Sequence, residues 1–160
     1  MADDTKNATL RSPVKLGTAQ VRRAPGLMFV DSTVEVAAAA NSGSVYTMVR
    51  IPTDARIHGL SRIAFDDLAS VGSPTLSIGF KSVDSNFTTA GTALNDSIDC
   101  FTAASTANVI KDVANNGKKV WEFLGLTTDP GGFADVTISI AAAAANTGGT
   151  ISLMLMYSVD

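Results

Sequence analysis

From Thr75 to Lys81 the chain alternates strictly, with Leu76, Ile78 and Phe80 on one side and Thr75, Ser77, Gly79 and Lys81 on the other. A period of two is what a half-buried β-strand presents, because successive side chains leave a pleated backbone on opposite faces. The same pattern returns near the C-terminus. Val136, Ile138 and Ile140 alternate with Asp135, Thr137 and Ser139, and beyond Asn146-Thr147-Gly148-Gly149 the chain resumes with Ile151, Leu153, Leu155 and Tyr157 on one face. Two alternating runs around an Asn/Gly-rich connection predict a β-hairpin, its register loosened by the alanines Ala141 to Ala145.

Met28 to Val36, Ser44 to Ile51 and Arg56 to Phe65 supply three more expected strands. Pro52, Thr53 and Asp54 separate the last two, since proline cannot donate to a sheet ladder and biases its neighbour to extended geometry. Asp129-Pro130-Gly131-Gly132 is a turn, with φ fixed by proline and positive φ open to glycine. Lys119 to Leu126 fits either a helical turn closed by Gly125 or a strand. Residues 86–118 scatter Ile98, Phe101, Val109, Ile110 and Val113 among Ser, Thr, Ala and Asn, and read as a long excursion holding a short helix or an irregular strand. At least six short strands without a long amphipathic helix predict an all-β chain, an antiparallel β-sandwich of the jelly-roll kind, with a closed barrel as the alternative. The expected division is an extended arm over 1–26 and a sandwich domain over 27–160.

Two strands look apolar on both faces. In Ser44 to Ile51, Tyr46 and Met48 stand opposite Val45, Val49 and Ile51; in Thr150 to Val159, Met154 and Met156 stand opposite Ile151, Leu153 and Leu155. A sandwich strand needs one apolar face, so the second calls for a cover. Either the N-terminal segment or the 86–118 excursion folds over Tyr46, Met48, Met154 and Met156, or those four residues form a subunit interface in a dimer or trimer.

Charge divides the chain. Residues 1–23 hold five basic side chains, Lys6, Arg11, Lys15, Arg22 and Arg23, against Asp3 and Asp4, a net of +3; the remaining seven basic and thirteen acidic residues give −6, which together make the −3 of the whole. A basic arm on an acidic body indicates attachment to something larger. Nucleic acid is disfavoured, because residues 1–28 contain no aromatic side chain for base stacking and the body would repel phosphate. Docking of the arm on an acidic protein surface, or its addition to a sheet edge, fits the apolar anchors Leu10, Val14, Leu16 and Val21; a merely solvated tail is the other reading. The polar N-terminus lacks the regions of a secretory signal, no apolar run reaches membrane-span length, and a lone cysteine forms no intrachain disulfide.

Catalytic constellations fail by inventory. His58 is the single histidine, no Gly-x-Ser-x-Gly elbow occurs, and Cys100 lies between Asp99 and Phe101, where a carboxylate raises rather than lowers a thiol pKa. Adjacent Asp66 and Asp67 of an extended chain point apart, unsuited to paired-carboxylate hydrolysis. Asp129 to Asp135 has oxygen ligands around glycines but neither the acidic ladder nor the terminal Glu of a calcium loop. No catalytic residue, metal or cofactor is therefore expected.

Two stretches carry a resemblance. Val45 to Phe80 (VYTMVRIPTDARIHGLSRIAFDDLASVGSPTLSIGF) and Trp121 to Ile138 (WEFLGLTTDPGGFADVTI), continued by the expected C-terminal hairpin, resemble small virion proteins of tailed bacteriophages. The resemblance implies a jelly-roll-like capsid decoration, or cement, protein: a non-catalytic homo-oligomer on the outer capsid surface, assembled in the host cytoplasm. Such a protein contacts the major capsid protein, bridges neighbouring capsomers and uses a terminal arm as anchor, here through Lys6, Arg11, Lys15, Arg22 and Arg23. The alternative is a head-fibre or tail-associated carbohydrate-binding module for receptor recognition, weakened by the supply of one Trp and two Tyr for sugar platforms.

Overall fold

The computed structural model describes residues 5–7, 9–10, 26–69, 74–83, 93–100, 104–142, 144–145 and 147–159. In chain order the strands are β1 (Thr5–Asn7), β2 (Thr9–Leu10), β3 (Gly26–Val36), β4 (Val45–Pro52), β5 (Ala55–Ile57), β6 (Arg62–Phe65), β7 (Thr75–Ser82), β8 (Asn95–Asp99), β9 (Ser105–Asn108), β10 (Phe133–Ala142) and β11 (Gly149–Val159). A 3₁₀ turn (Val113–Asn115) and one helical turn, α1 (Val120–Phe123), separate β9 from β10. No helix among the described residues is long and apolar enough to cross a membrane.

The strands form two facing sheets, ordered β1-β4-β10-β7-β8 and β2-β3-β11-β6-β9, with β5 also paired to β11. The pairing is nested: β3 lies against β11, β4 against β10, β6 against β9 and β7 against β8. That is one long antiparallel hairpin rolled up so that β10 also meets β7 and β11 also meets β6. The result is a jelly roll, the sandwich expected, not a closed barrel. The helical turn is the outcome of the Lys119 to Leu126 ambiguity: Glu122 accepts from the Lys119 amide at 2.6 Å, and Gly125 at φ +72° takes the left-handed position that ends the turn.

The alternation of the sequence becomes the core. Leu76, Ile78 and Phe80 of β7, Val136, Ile138 and Ile140 of β10, and Ile151, Leu153, Leu155 and Tyr157 of β11 are all buried between the sheets. Each such side chain contributes about 1.5–3 kcal/mol by leaving water. Phe80 meets Phe123 of α1 with ring centroids 5.6 Å apart and tilted by 47°, so the helical turn is fastened to this core.

Four sequence expectations change. The C-terminal runs do not pair with each other: β10 and β11 lie in opposite sheets, and their Asn/Gly-rich connection is an arch over the end of the sandwich. Local alternation and a loop of that length are the same in both arrangements. Arg56 to Phe65 is not one strand either. It pairs with β11 at both ends but leaves the ladder over residues 58–61, where the Ser61 hydroxyl replaces it, donating to the Met156 carbonyl at 3.2 Å and accepting from the Met156 amide at 3.0 Å.

Among its described residues the excursion at 86–118 holds two strands, β8 and β9, which complete one sheet each, and the short 3₁₀ turn, where a short helix or an irregular strand was expected. Finally, β4 is not apolar on two faces. Thr47 pairs with Thr137 and Val49 with Val136, which leaves Met48 as an extra, unopposed residue, a β-bulge. The bulge shifts the inward positions from even to odd numbers, so Tyr46, Met48, Val49 and Ile51 all point into the core. Tyr46 (0% exposed) and Met48 (2% exposed) are interior residues and form no subunit interface.

Candidate interaction surfaces

The N-terminal segment joins the body at both edges. β1 pairs in parallel with the start of β4, and β2 pairs antiparallel with Ser32 and Thr33 of β3. One short stretch of chain therefore adds an edge strand to each sheet at the side where β3 and β4 stand. Lys6 sits in β1, with its backbone paired opposite Tyr46. Arg11, Lys15, Arg22 and Arg23 lie outside the described residues. β3 begins at Gly26, and β1 and β2, from the segment expected to be an arm, are strands of the two sheets.

The outer face of the β3–β11–β6 sheet is the second surface. Along β11, Ile151, Leu153, Leu155, Tyr157 and Val159 are buried, while Ser152, Met154, Met156 and Ser158 face outward and are half-buried. Register then fixes their neighbours, because directly opposed residues share a face. Met156 lies beside Phe29, Ser158 beside Leu27, and Met154 between Asp31 and Arg62. Phe29 is 54% exposed, Leu27 56% and Leu60, at the tip of the 58–61 loop, 71%. Of the four residues expected at an interface, then, Met154 and Met156 stand on an outer face, Met156 beside the exposed Phe29 and Met154 between two charged residues, and Tyr46 and Met48 do not. Sequence reasoning missed Leu27, Phe29 and Leu60. The first two carry an odd-numbered alternation in β3 that would have shown them.

The groups with chemical potential are engaged structurally. Cys100 is buried, donates its thiol to the Pro74 carbonyl at 3.1 Å and has its pKa pushed up to about 11, chiefly by loss of solvation and then by the Asp99 charge, the reverse of a nucleophile. Asp129 accepts from the Thr53 hydroxyl at 2.5 Å and from the Gly131 amide at 3.0 Å, which ties the DPGG turn to the end of β4. Asp135 takes a bidentate pair with Arg50 at 2.8 and 3.2 Å. Asp66 accepts from the Thr150 amide and Asp67 from the Ala69 amide, so both carboxylates stabilise backbone. The His58 amide donates to the Met156 carbonyl at the mouth of the loop. Among the described residues no group of three His, Cys, Asp or Glu side chains is placed to hold a metal ion.

The depressions on this surface are shallow. One of about 390 Å³ runs over Ala64, Phe65, Asp66, Thr106, Thr150 and Ser152, mostly small and hydroxyl side chains, and its one aromatic residue, Phe65, is buried. Tyr46 and Tyr157 are buried, so neither tyrosine offers a platform for sugar.

No protein-family model matches the chain, and no curated protein matches it. Its fold is similar to that of a chain in the Cyanophage Pam1 capsid asymmetric unit, at 18% identity and a TM-score of 0.50, over 93% of this chain and 100% of that one. A chain in the capsid of Ralstonia phage GP4 aligns at 18% identity and a TM-score of 0.47, over 88% of this chain and 89% of the other. At such identities the likeness is one of fold: the jelly roll derived from strand order is the architecture of a complete chain in a phage capsid assembly.

Proposed function

We propose that this chain is a structural protein of a bacteriophage virion, a decoration protein that sits on the outer capsid surface, bridges neighbouring capsomers and stabilises the shell without catalysis. The observation that carries the reading is the match in fold to the whole length of a chain from a phage capsid assembly. Two further features support it. The body is acidic and its arm basic, the charge division expected of a tether to a larger protein surface. The residues with chemical potential serve the fold: Cys100 is an interior thiol, and Asp66, Asp129 and Asp135 hold backbone or an arginine.

In this reading the major capsid protein is the partner and the basic residues Lys6, Arg11, Lys15, Arg22 and Arg23 contact it. Nucleic acid is not a partner, since an acidic sandwich repels phosphate.

Co-sedimentation of the full chain with empty shells of the major capsid protein tests this. The chain is expected to pellet with shells in fixed proportion, and a variant with Lys6, Arg11, Lys15, Arg22 and Arg23 replaced by Ser to bind at least about tenfold more weakly. Undiminished binding of the variant removes the anchoring role of the arm. Absence of wild-type binding removes the capsid reading.

A further inference from the structure

We propose that the outer face of the β3–β11–β6 sheet docks a second copy of this chain about a two-fold axis running along β11, with Asp31 of each copy paired to Arg62 of the other. The inference stands apart from the virion reading, because it uses only register, exposure and charge.

The central observation is one row across the sheet. Asp31 of β3, Met154 of β11 and Arg62 of β6 are consecutive cross-strand neighbours and share the outer face. Asp31 and Arg62 stand two strand spacings apart, roughly 10 Å between backbones, with Met154 between them, and they form no ion pair with each other. Neither has an ion-pair partner among the described residues. Both charges flank an apolar side chain that leaves solvent only in part.

Beside that row lies the apolar part of the face. Met156 adjoins Phe29, Leu27 lies at the next outward position of β3, and Leu60 stands exposed on the loop between β5 and β6; Phe29, Leu27 and Leu60 are each more than half exposed. An exposed cluster of this kind marks an interaction surface. What distinguishes the partner is symmetry. An isologous interface must be self-complementary, with residue i meeting residue j and j meeting i. When two such sheets are laid face to face about an axis parallel to β11, the left and right sides of the row exchange. Asp31 then comes over the other copy's Arg62, Met154 over its own symmetry mate, and Phe29 over the loop that carries Leu60. An in-plane axis perpendicular to the strands instead sets Asp31 on Asp31 and Arg62 on Arg62, so the charges select one of the two ways of stacking the face on itself. Glu35 and Asp66 flank Thr150 in a second row at the far end of the sheet, where the same axis would set Glu35 over the other copy's Asp66, so the contact is confined to the apolar half around Met154 and Met156.

The test is the mass of the full chain in solution, with charge exchange as the discriminating variant. Sedimentation equilibrium at micromolar concentration is expected to give twice the chain mass. Asp31→Arg and Arg62→Asp should each weaken dimerisation by more than about 100-fold, through two symmetric like-charge contacts. The double variant D31R/R62D re-forms both pairs in the opposite sense and should recover dimerisation to within about tenfold of wild type. Circular dichroism of each variant reports whether it is folded. A monomeric or trimeric wild type overturns the proposal, as does a dimer indifferent to the single reversals or one that the double exchange fails to restore.

Discussion

Strands β10 and β8 belong to the same sheet with only β7 between them, and they differ in nearly every signal a sequence can carry. β10 has neighbours on both sides and the opposite sheet beneath it, so Ala134, Val136, Ile138 and Ile140 must be apolar. β8 is an edge. Only Asn95 and Ile98 of its five residues are buried, its ladder to β7 shifts register between Leu76 and Ile78, and the Asn95 amide is satisfied by the Asn108 carbonyl at 2.8 Å rather than by an apolar neighbour. β9 repeats this at the edge of the other sheet, with Ser105, Thr106 and Asn108 exposed. Alternation is thus a record of how many sides of a strand are covered, and it fades where coverage ends.

That difference has energetic consequences, the largest of which concerns buried against outer methionines. Met48→Lys places an unpaired charge in the core and is expected to cost more than about 4 kcal/mol, enough to unfold a marginal domain. Met154→Lys, on the outer face, is expected to stay folded, with a change under about 1 kcal/mol in the stability of a single copy when both chains are compared as monomers at high dilution. Urea unfolding of the two variants checks the contrast; comparable losses would mean that the bulge at Met48 has been misplaced. A smaller difference separates centre from edge. Ile138→Ala in β10 should lose about 2–5 kcal/mol through its cavity, whereas Thr106→Ala in β9 should stay within about 0.5 kcal/mol, both read as shifts in the unfolding midpoint.

The same contrast explains what could be read before the structure. β7, β10 and β11 were legible because their inward residues repeat every second position. The hidden parts were those in which one residue changes the meaning of its neighbours. Met48 makes an interior strand look two-faced, and only the pairing of Thr47 with Thr137 and Val49 with Val136 reveals it. Ser61 lets the chain bulge out of the ladder beyond the His58 amide by supplying a hydroxyl in place of backbone bonds, a substitution that no periodicity announces. Pairing of β10 with β7 and β4 rather than with β11 is a long-range choice, whereas the Asn/Gly connection between β10 and β11 is a local one. On the candidate surfaces, Met154 and Met156 could be found from sequence, but their neighbours Asp31 and Arg62 acquire meaning only from register.

The central claim is that a jelly roll with a basic arm serves a capsid from the outside. A reconstruction of the virion in which this chain occurs measures it most directly. Density for the sandwich on the outer surface, spanning adjacent capsomers, with residues 11–25 extended onto the shell, is the expected result. A particle whose outer capsid surface lacks the sandwich, or one that carries it only on the tail or inside the shell, would contradict the claim.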